Sequence, residues 1–277
     1  MMRLAGLACY PVKSLGGVIA DTVTLTSLGL DGDRRWAVIG ADGTVLTQRQ
    51  FARMAAIRAL PGAGGSLRLH ARTGIIDIAP PVGEHGRAEA IVWGTRVDTA
   101  LAAPEASAFL SGLLDTEARL VRLDREDARR CGTAPSGSTE YTSLADSLPV
   151  LVTTTGSLAA LGSLLAQAGL DAVPMDRFRA NLIVEHDTPW AEHGWRGLRI
   201  GAAELRLAHP CERCQVPTID QHTGEVDPRS AAARGLLRVL AGAAGIGRKM
   251  VFGVNAVPVA STCPATLHVG ERVTVTG

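Results

Sequence analysis

Hydrophobic and polar positions alternate over short stretches through most of the first half of the chain. Val18 to Thr26, Arg35 to Ile39, Ser66 to His70, Ile75 to Ile78 and Ile91 to Thr95 carry the period of two and the β-branched content of half-buried strands. Gly29-Leu30-Asp31-Gly32 marks a turn. Asp42-Gly43, set between Ala37-Val38-Ile39 and Thr44-Val45-Leu46, predicts a type I′ hairpin, which needs positive φ at both central positions. The run Met1 to Pro11 is too short for a secretory signal and is interrupted by Pro11 and Lys13, so it is expected to be the first strand. Short strands at this spacing favour a β-rich or barrel-like domain over βαβ units.

The period lengthens at Ala103 to Leu114, a short helix, before a strand at Arg119 to Leu123. Residues 124–143 are polar and aperiodic, which predicts a linker or a mobile surface loop. The chain therefore divides into residues 1–123 and 124–277. Leu148 to Leu170 carries no charge and is long enough to cross a bilayer. Its grammar differs: Leu148 to Val152 reads as a strand, and Leu158, Leu161, Leu164 and Leu165 recur at helical spacing until Gly169. Further strands are expected at Leu182–Glu185, Leu198–Ile200, Glu204–Ala208, Met250–Val259 and Arg272–Thr276. The fold class is α+β and β-rich, with two barrel-like domains and a few short helices.

A length of 277 residues suits two domains. Twenty-eight basic and 27 acidic residues leave a net charge of +1, so no global field points to nucleic acid or to an anionic membrane surface. The five cysteines, at 9, 131, 211, 214 and 263, are odd in number and scattered, which fits a reducing cytoplasm. Gly242 to Lys249 is glycine-rich but lacks the ending of a phosphate-binding P-loop, and reads as a loop after a leucine-rich helix. His186 and His193 lack metal-ligand spacing. Trp93, Trp190 and Trp195 are expected in the core or in a pocket wall.

The chemistry concentrates in His209-Pro210-Cys211-Glu212-Arg213-Cys214-Gln215-Val216-Pro217-Thr218. Thiolates bind soft metals, and a neighbouring guanidinium such as Arg213 favours the thiolate. The pair Cys211 and Cys214 alone leaves three options open. A zinc site needs two further ligands; a redox dithiol normally opens a helix, whereas Val216-Pro217-Thr218 looks extended; and two buried small hydrophobes need nothing further.

Met175-Asp176-Arg177-Phe178-Arg179-Ala180-Asn181-Leu182, then Trp195-Arg196-Gly197-Leu198-Arg199-Ile200-Gly201, then Pro210 to Cys214, in that order, resemble the signature of the MOSC domain family. Tyr10-Pro11-Val12-Lys13-Ser14, Gly29 to Trp36 and Thr47-Gln48-Arg49-Gln50 resemble the β-barrel domain that precedes MOSC in amidoxime-reducing enzymes. The resemblance covers nearly the whole chain.

It implies a molybdenum cofactor, a metal on the dithiolene of a phosphorylated pterin, with Cys214 and not Cys211 as the protein's sulfur ligand. Arg213 would stabilise both the thiolate and an anionic metal centre. Lys13, Ser14 and Arg34 match positions that hold the pterin phosphate. Arg179 and Asn181, on alternate positions entering a strand, would meet the pterin from one face, and Asp146 and Ser147 match a further pterin position. The sequence departs from the family at Gly16, commonly basic, at Ala180, commonly proline, and at Gln221-His222, commonly acidic and proline-bearing; these changes are expected at the rim.

The implied activity is reduction of amidoximes, hydroxamic acids and N-hydroxylated bases, with electrons from a separate reductase or a ferredoxin-like or cytochrome-like carrier. The other implied role is a cofactor carrier or sulfur-handling protein. In some relatives MOSC is fused to a pyridoxal-phosphate cysteine desulfurase, for which these 277 residues have no room.

Overall fold

The computed structural model describes residues 1–131, 140–226, 231–245 and 249–277. Residues 132–139 of the expected linker and 246–248 of the expected Gly242–Lys249 loop lie outside the described residues.

The strands of the first thirty residues belong to sheets that hold strands of the second half. Leu4–Cys9 pairs antiparallel with Leu182–Val184, which lies parallel to Val150–Thr154. These strands sit in an eight-stranded sheet that runs, edge to edge, Val273–Thr276, Gly197–Ile200, Ala203–Glu212, Val251–Pro258, Val150–Thr154, Leu182–Val184, Leu4–Cys9 and Val18–Ala20. The expected single strand from Val18 to Thr26 breaks at Asp21, and its second piece, Thr22–Thr26, pairs with Ala265–His268 in another sheet. Local periodicity sees only alternation, so it cannot register a change of partner.

Residues 36–122 build the other body around α1, Pro104–Leu114. Trp36–Ile39, Arg119–Arg122, Thr95–Leu101 and Arg87–Val92 form one sheet, and Arg58–Pro61, Leu67–Ala71 and Gly74–Ile78 another. Leu67, Leu69 and Ala71 point into the core while Arg68 and His70 point out, as the alternation requires. The expected strand Ile91–Thr95 is instead a hairpin tip. Trp93, at φ +50°, and Gly94, at φ +81°, supply the two left-handed positions that turn one strand back on the other. At Asp42-Gly43 only Gly43 is left-handed, and the Asp42 carboxylate accepts from Thr44 N at 2.9 Å, so an Asx turn replaces the expected I′ geometry.

The charge-free stretch after Leu148 is a strand, Val150–Thr154, and a helix, α2, Thr155–Gln167, whose N-cap Thr154 accepts from Ser157 N. α2 packs with α3, Ala231–Ala243, over Phe178 and Phe252, whose rings stack with centroids 3.8 Å apart. Trp190 and Trp195 pack beside the core. Among the described residues no helix is long and apolar enough to cross a membrane.

The described flanks of the expected linker are not loose. Cys131 N donates to Glu140 O at 2.7 Å and Thr142 N to Arg129 O at 2.9 Å, and the Arg129 guanidinium, itself buried, donates to the carbonyls of Ser143 and Ala145. A buried cation satisfied by carbonyls fixes the backbone that leads to Asp146 and Ser147.

Candidate functional site

A cavity of about 830 Å³ lies between the two bodies. All nine residues singled out from the sequence line it: Lys13, Ser14 and Arg34; Asp146, Ser147, Arg179 and Asn181; and Arg213 and Cys214. Their environments differ from the expectations.

Lys13 is held by its backbone, with N–H donating to Trp36 O at 2.8 Å, and its buried ammonium meets the Asp146 carboxylate. The Trp93 indole N–H donates to the same carboxylate at 2.9 Å. Partial desolvation would raise the Asp146 carboxyl, but the Lys13 ammonium and the indole N–H outweigh it and hold the group well below the usual carboxylate range. Burial pushes the Lys13 ammonium down, and Asp146 opposes that shift. Asp146, read from the resemblance as an acceptor for pterin N–H groups, is therefore already engaged with two donors of the protein. Ser14 is left-handed, at φ +66°, and its carbonyl accepts from Gln48 Nε2 at 2.9 Å.

Arg34 sits at φ +48° beside the buried Asp33. Its Nη1 donates to Asp33 Oδ2 at 2.5 Å and to Asn181 Oδ1 at 2.9 Å, and its Nη2 donates to Arg179 O at 3.0 Å. These bonds occupy three of the five guanidinium donors. Asn181 is the larger correction. Its Nδ2 donates to Ala8 O and Asp33 Oδ1, each at 3.1 Å, while its Oδ1 accepts from Leu151 N at 3.1 Å as well as from Arg34. Both donors and both lone pairs are used within the protein, so this amide joins the first strand to the Val150–Thr154 strand and has no capacity left for a heterocycle. Arg179 does not alternate with Asn181 along a strand either. It occupies a left-handed turn, φ +55°, after the 3-10 turn Met175–Phe178, and the strand begins only at Leu182.

Arg213 was expected to serve Cys214. Its Nη1 instead donates to Cys211 Sγ at 3.0 Å and its Nη2 to Phe178 O at 2.7 Å. Cys211 is the penultimate residue of the irregular, bulged strand Ala203–Glu212, and Cys214 lies beyond its end; both are free and half-buried. Val216–Thr218 is one turn of 3-10 helix, not an extended segment. Among the described residues no group of three or more His, Cys, Asp and Glu could hold a metal. Any metal here would need donors from a bound group in addition to a cysteine.

The cavity is charged asymmetrically. Lys13, Arg34 and Lys249 meet Asp146, Asp33 and Glu212. Arg49, Arg179 and Arg213 line the same cavity and make no ion pair among the described residues. Arg179 Nη2 and Arg213 Nε are buried without a hydrogen-bond partner. Burial, then the nearby Arg34 charge, lowers the Arg179 group to about 10. A buried guanidinium N–H left without a partner is costly unless a ligand answers it. This donor set, two free cysteines beside cations without a carboxylate partner among the described residues, around a ligand-sized space, fits an anionic, metal-bearing cofactor.

Sequence reasoning missed the parts played by Arg49, Gln221 and Gly16. Arg49, in the quoted Thr47–Gln50 motif, lies 4.6 Å from the Trp93 ring centroid and walls the cavity with it. Trp93, expected in the core or in a pocket wall, stands on the cavity wall, carried there by the hairpin tip. Gln221, assigned to the rim, is buried and bonded to Gln48 and Arg179. Gly16 is a close backbone approach: an added Cβ would meet Ala55 O at 2.8 Å, so no side chain fits without a shift.

The strand order defines a strand-rich α+β class, and two known domain families match the chain. The model of the MOSC N-terminal beta barrel domain matches residues 1–117 and that of the MOSC domain residues 140–274, so the chain belongs to the MOSC domain family and is a β-rich α+β protein. It is 32% identical over 260 residues to the molybdenum cofactor sulfurase of Drosophila mojavensis, a match over 91% of this chain and 31% of that protein. It is 29% identical over 229 residues to mitochondrial amidoxime reducing component 2 of Bos taurus, over 79% of this chain and 66% of the relative. The chain thus spans about a third of the sulfurase it matches. In fold it can be superposed on the YUAD protein from Bacillus subtilis with a TM-score of 0.45 and 10% identity, over 99% of this chain and 94% of that one.

Proposed function

We propose that the chain is a molybdenum-cofactor-dependent oxidoreductase that removes oxygen from N-hydroxylated compounds, such as amidoximes, hydroxamic acids and N-hydroxylated bases. The observation that carries the reading is the cavity itself, where the half-buried Cys214 thiol shares one space with Arg49, Arg179 and Arg213, three cations that no carboxylate among the described residues pairs with. When bound, the cofactor supplies two-electron oxygen-atom chemistry at the metal. Cys214 would hold the metal. Arg179, with its free Nη2, and the Lys13-Ser14 turn would hold the anionic part. Arg213 would act from beside Cys211, one sulfur away from the ligand.

Reduction of an N–OH group takes two electrons and two protons and gives the N–H product and water. The electrons would come from a separate reductase or a small electron carrier. The five free cysteines agree with a reducing compartment, and the cytoplasm is the compartment we propose.

A second reading, a sulfur-handling protein or cofactor carrier, is favoured by one contact: Arg213 donates to Cys211 Sγ, which sets a guanidinium-supported sulfur on the cavity wall in addition to Cys214. Expression in a molybdopterin-producing host, followed by metal analysis and a benzamidoxime assay with an artificial electron donor, separates them. Stoichiometric molybdenum with turnover supports the reductase. Molybdenum without turnover of any N–O substrate supports the carrier, and zinc in its place contradicts both.

A further inference from the structure

Two buried guanidiniums lie against the same Tyr10 ring, Arg34 at 4.5 Å and Arg179 at 4.3 Å from its centroid. The protein answers them differently. Arg34 has a carboxylate, Asp33. Arg179 has an amide: its Nη1 donates to Gln221 Oε1 at 3.3 Å, and no carboxylate among the described residues pairs with it. Gln221 is held in turn by Gln48 through reciprocal Nε2 to Oε1 bonds, both 3.1 Å. The two amides are 6% and 1% exposed, so neither is a surface contact. Gln48 Nε2 also donates to Ser14 O. One chain of hydrogen bonds therefore runs from the Ser14 turn through Gln48 and Gln221 to Arg179, its central link joining residues 173 positions apart.

We infer that Gln221 is a positioning residue that orients Arg179 toward an anionic ligand of the cavity without neutralising it, and that Gln48 ties this device to the Ser14 turn. The inference rests on the cavity being the cofactor site proposed above. An amide oxygen accepts from a guanidinium but brings no charge, so the cation keeps its full attraction for a phosphate-like anion. A carboxylate at the same place would form a buried ion pair, as Asp33 does with Arg34, and would compete with the ligand. The buried, partnerless Nη2 of Arg179 is the donor that this arrangement leaves available.

The test compares Gln221→Glu, Gln221→Met and Arg179→Met in the full chain. Metal-free protein from a host without molybdopterin is titrated calorimetrically with inorganic pyrophosphate, and protein from a molybdopterin-producing host is assayed for bound pterin. The expected ranking is wild type, then Gln221→Met weaker by about threefold, then Gln221→Glu weaker by about tenfold, a charge effect of the size of one ion pair. Pterin content should fall in the same order. A merely structural role predicts the reverse, because glutamate keeps the acceptor for Arg179 and methionine does not. Gln221→Glu binding as tightly as wild type, or more tightly than Gln221→Met, would overturn the inference, as would a wild type that binds no pyrophosphate. If Gln221→Glu does not fold, Arg179→Met decides, since unchanged pyrophosphate affinity there has the same consequence. Pyrophosphate ranking as expected with no pterin in the wild type would sustain the inference while removing the molybdenum reading.

Discussion

Two corners of one cavity are built on opposite principles. Around Asp33, Arg34 and Asn181 the polar atoms are buried and meet one another: Asn181 makes four hydrogen bonds, and the Arg34 charge has a carboxylate at 2.5 Å. Around Cys211, Arg213 and Cys214 the thiols are free and half-buried, and among the described residues the guanidinium has no carboxylate and its Nε no partner. A satisfied network specifies geometry and has nothing left to offer a ligand. An unsatisfied one costs stability and is retained where something binds. The first corner joins the two halves of the chain, and the second is where chemistry is possible.

The largest expected effect breaks the first corner. Asp33→Ala leaves Arg34 buried without its carboxylate, and loss of one partner of such a pair costs about 3 kcal/mol or more. Urea unfolding should show that loss in the midpoint. A change within about 0.5 kcal/mol, the range of ordinary surface substitutions, would mean that the network is not what joins the halves.

A smaller effect concerns the bridge between the corners, Lys13 with Asp146. The folded Asp146 carboxyl lies below its ordinary value, so its contribution to stability is complete above the unfolded value, near 3.9, and is lost as the pH falls below about 4 toward the folded value. Its side chain is 60% exposed, so water screens the pair and the loss is at most about 1 kcal/mol. Unfolding of wild type and Asp146→Asn between pH 5 and 3 should show the extra acid sensitivity in wild type alone; parallel curves would remove the pair from the account.

The same contrast explains what could be read in advance. Each of the nine named side chains lies on the cavity, because motif positions encode proximity to a shared site. Partners were less legible. Asn181 was read as a recognition amide because sequence shows its donor and acceptor types but not that Ala8, Asp33, Leu151 and Arg34 converge on it. Arg213 was assigned to the adjacent Cys214, whereas the bulges in Ala203–Glu212 bring Cys211 to it instead. The strand patterns were visible at Leu67–Ala71, while the return of Leu4–Cys9 to the sheet of the second half depends on long-range pairing that no local window contains.

The central claim is that Cys214 alone among the two cysteines of the open corner holds the metal, and molybdenum content tests it most directly. Wild type, Cys211→Ala and Cys214→Ala are purified from a molybdopterin-producing host and analysed for metal and for benzamidoxime turnover. The account predicts molybdenum at the wild-type ratio in Cys211→Ala, and loss of both metal and turnover in Cys214→Ala. Equal loss of metal from both variants would contradict it and return the pair to a dithiol or a zinc site.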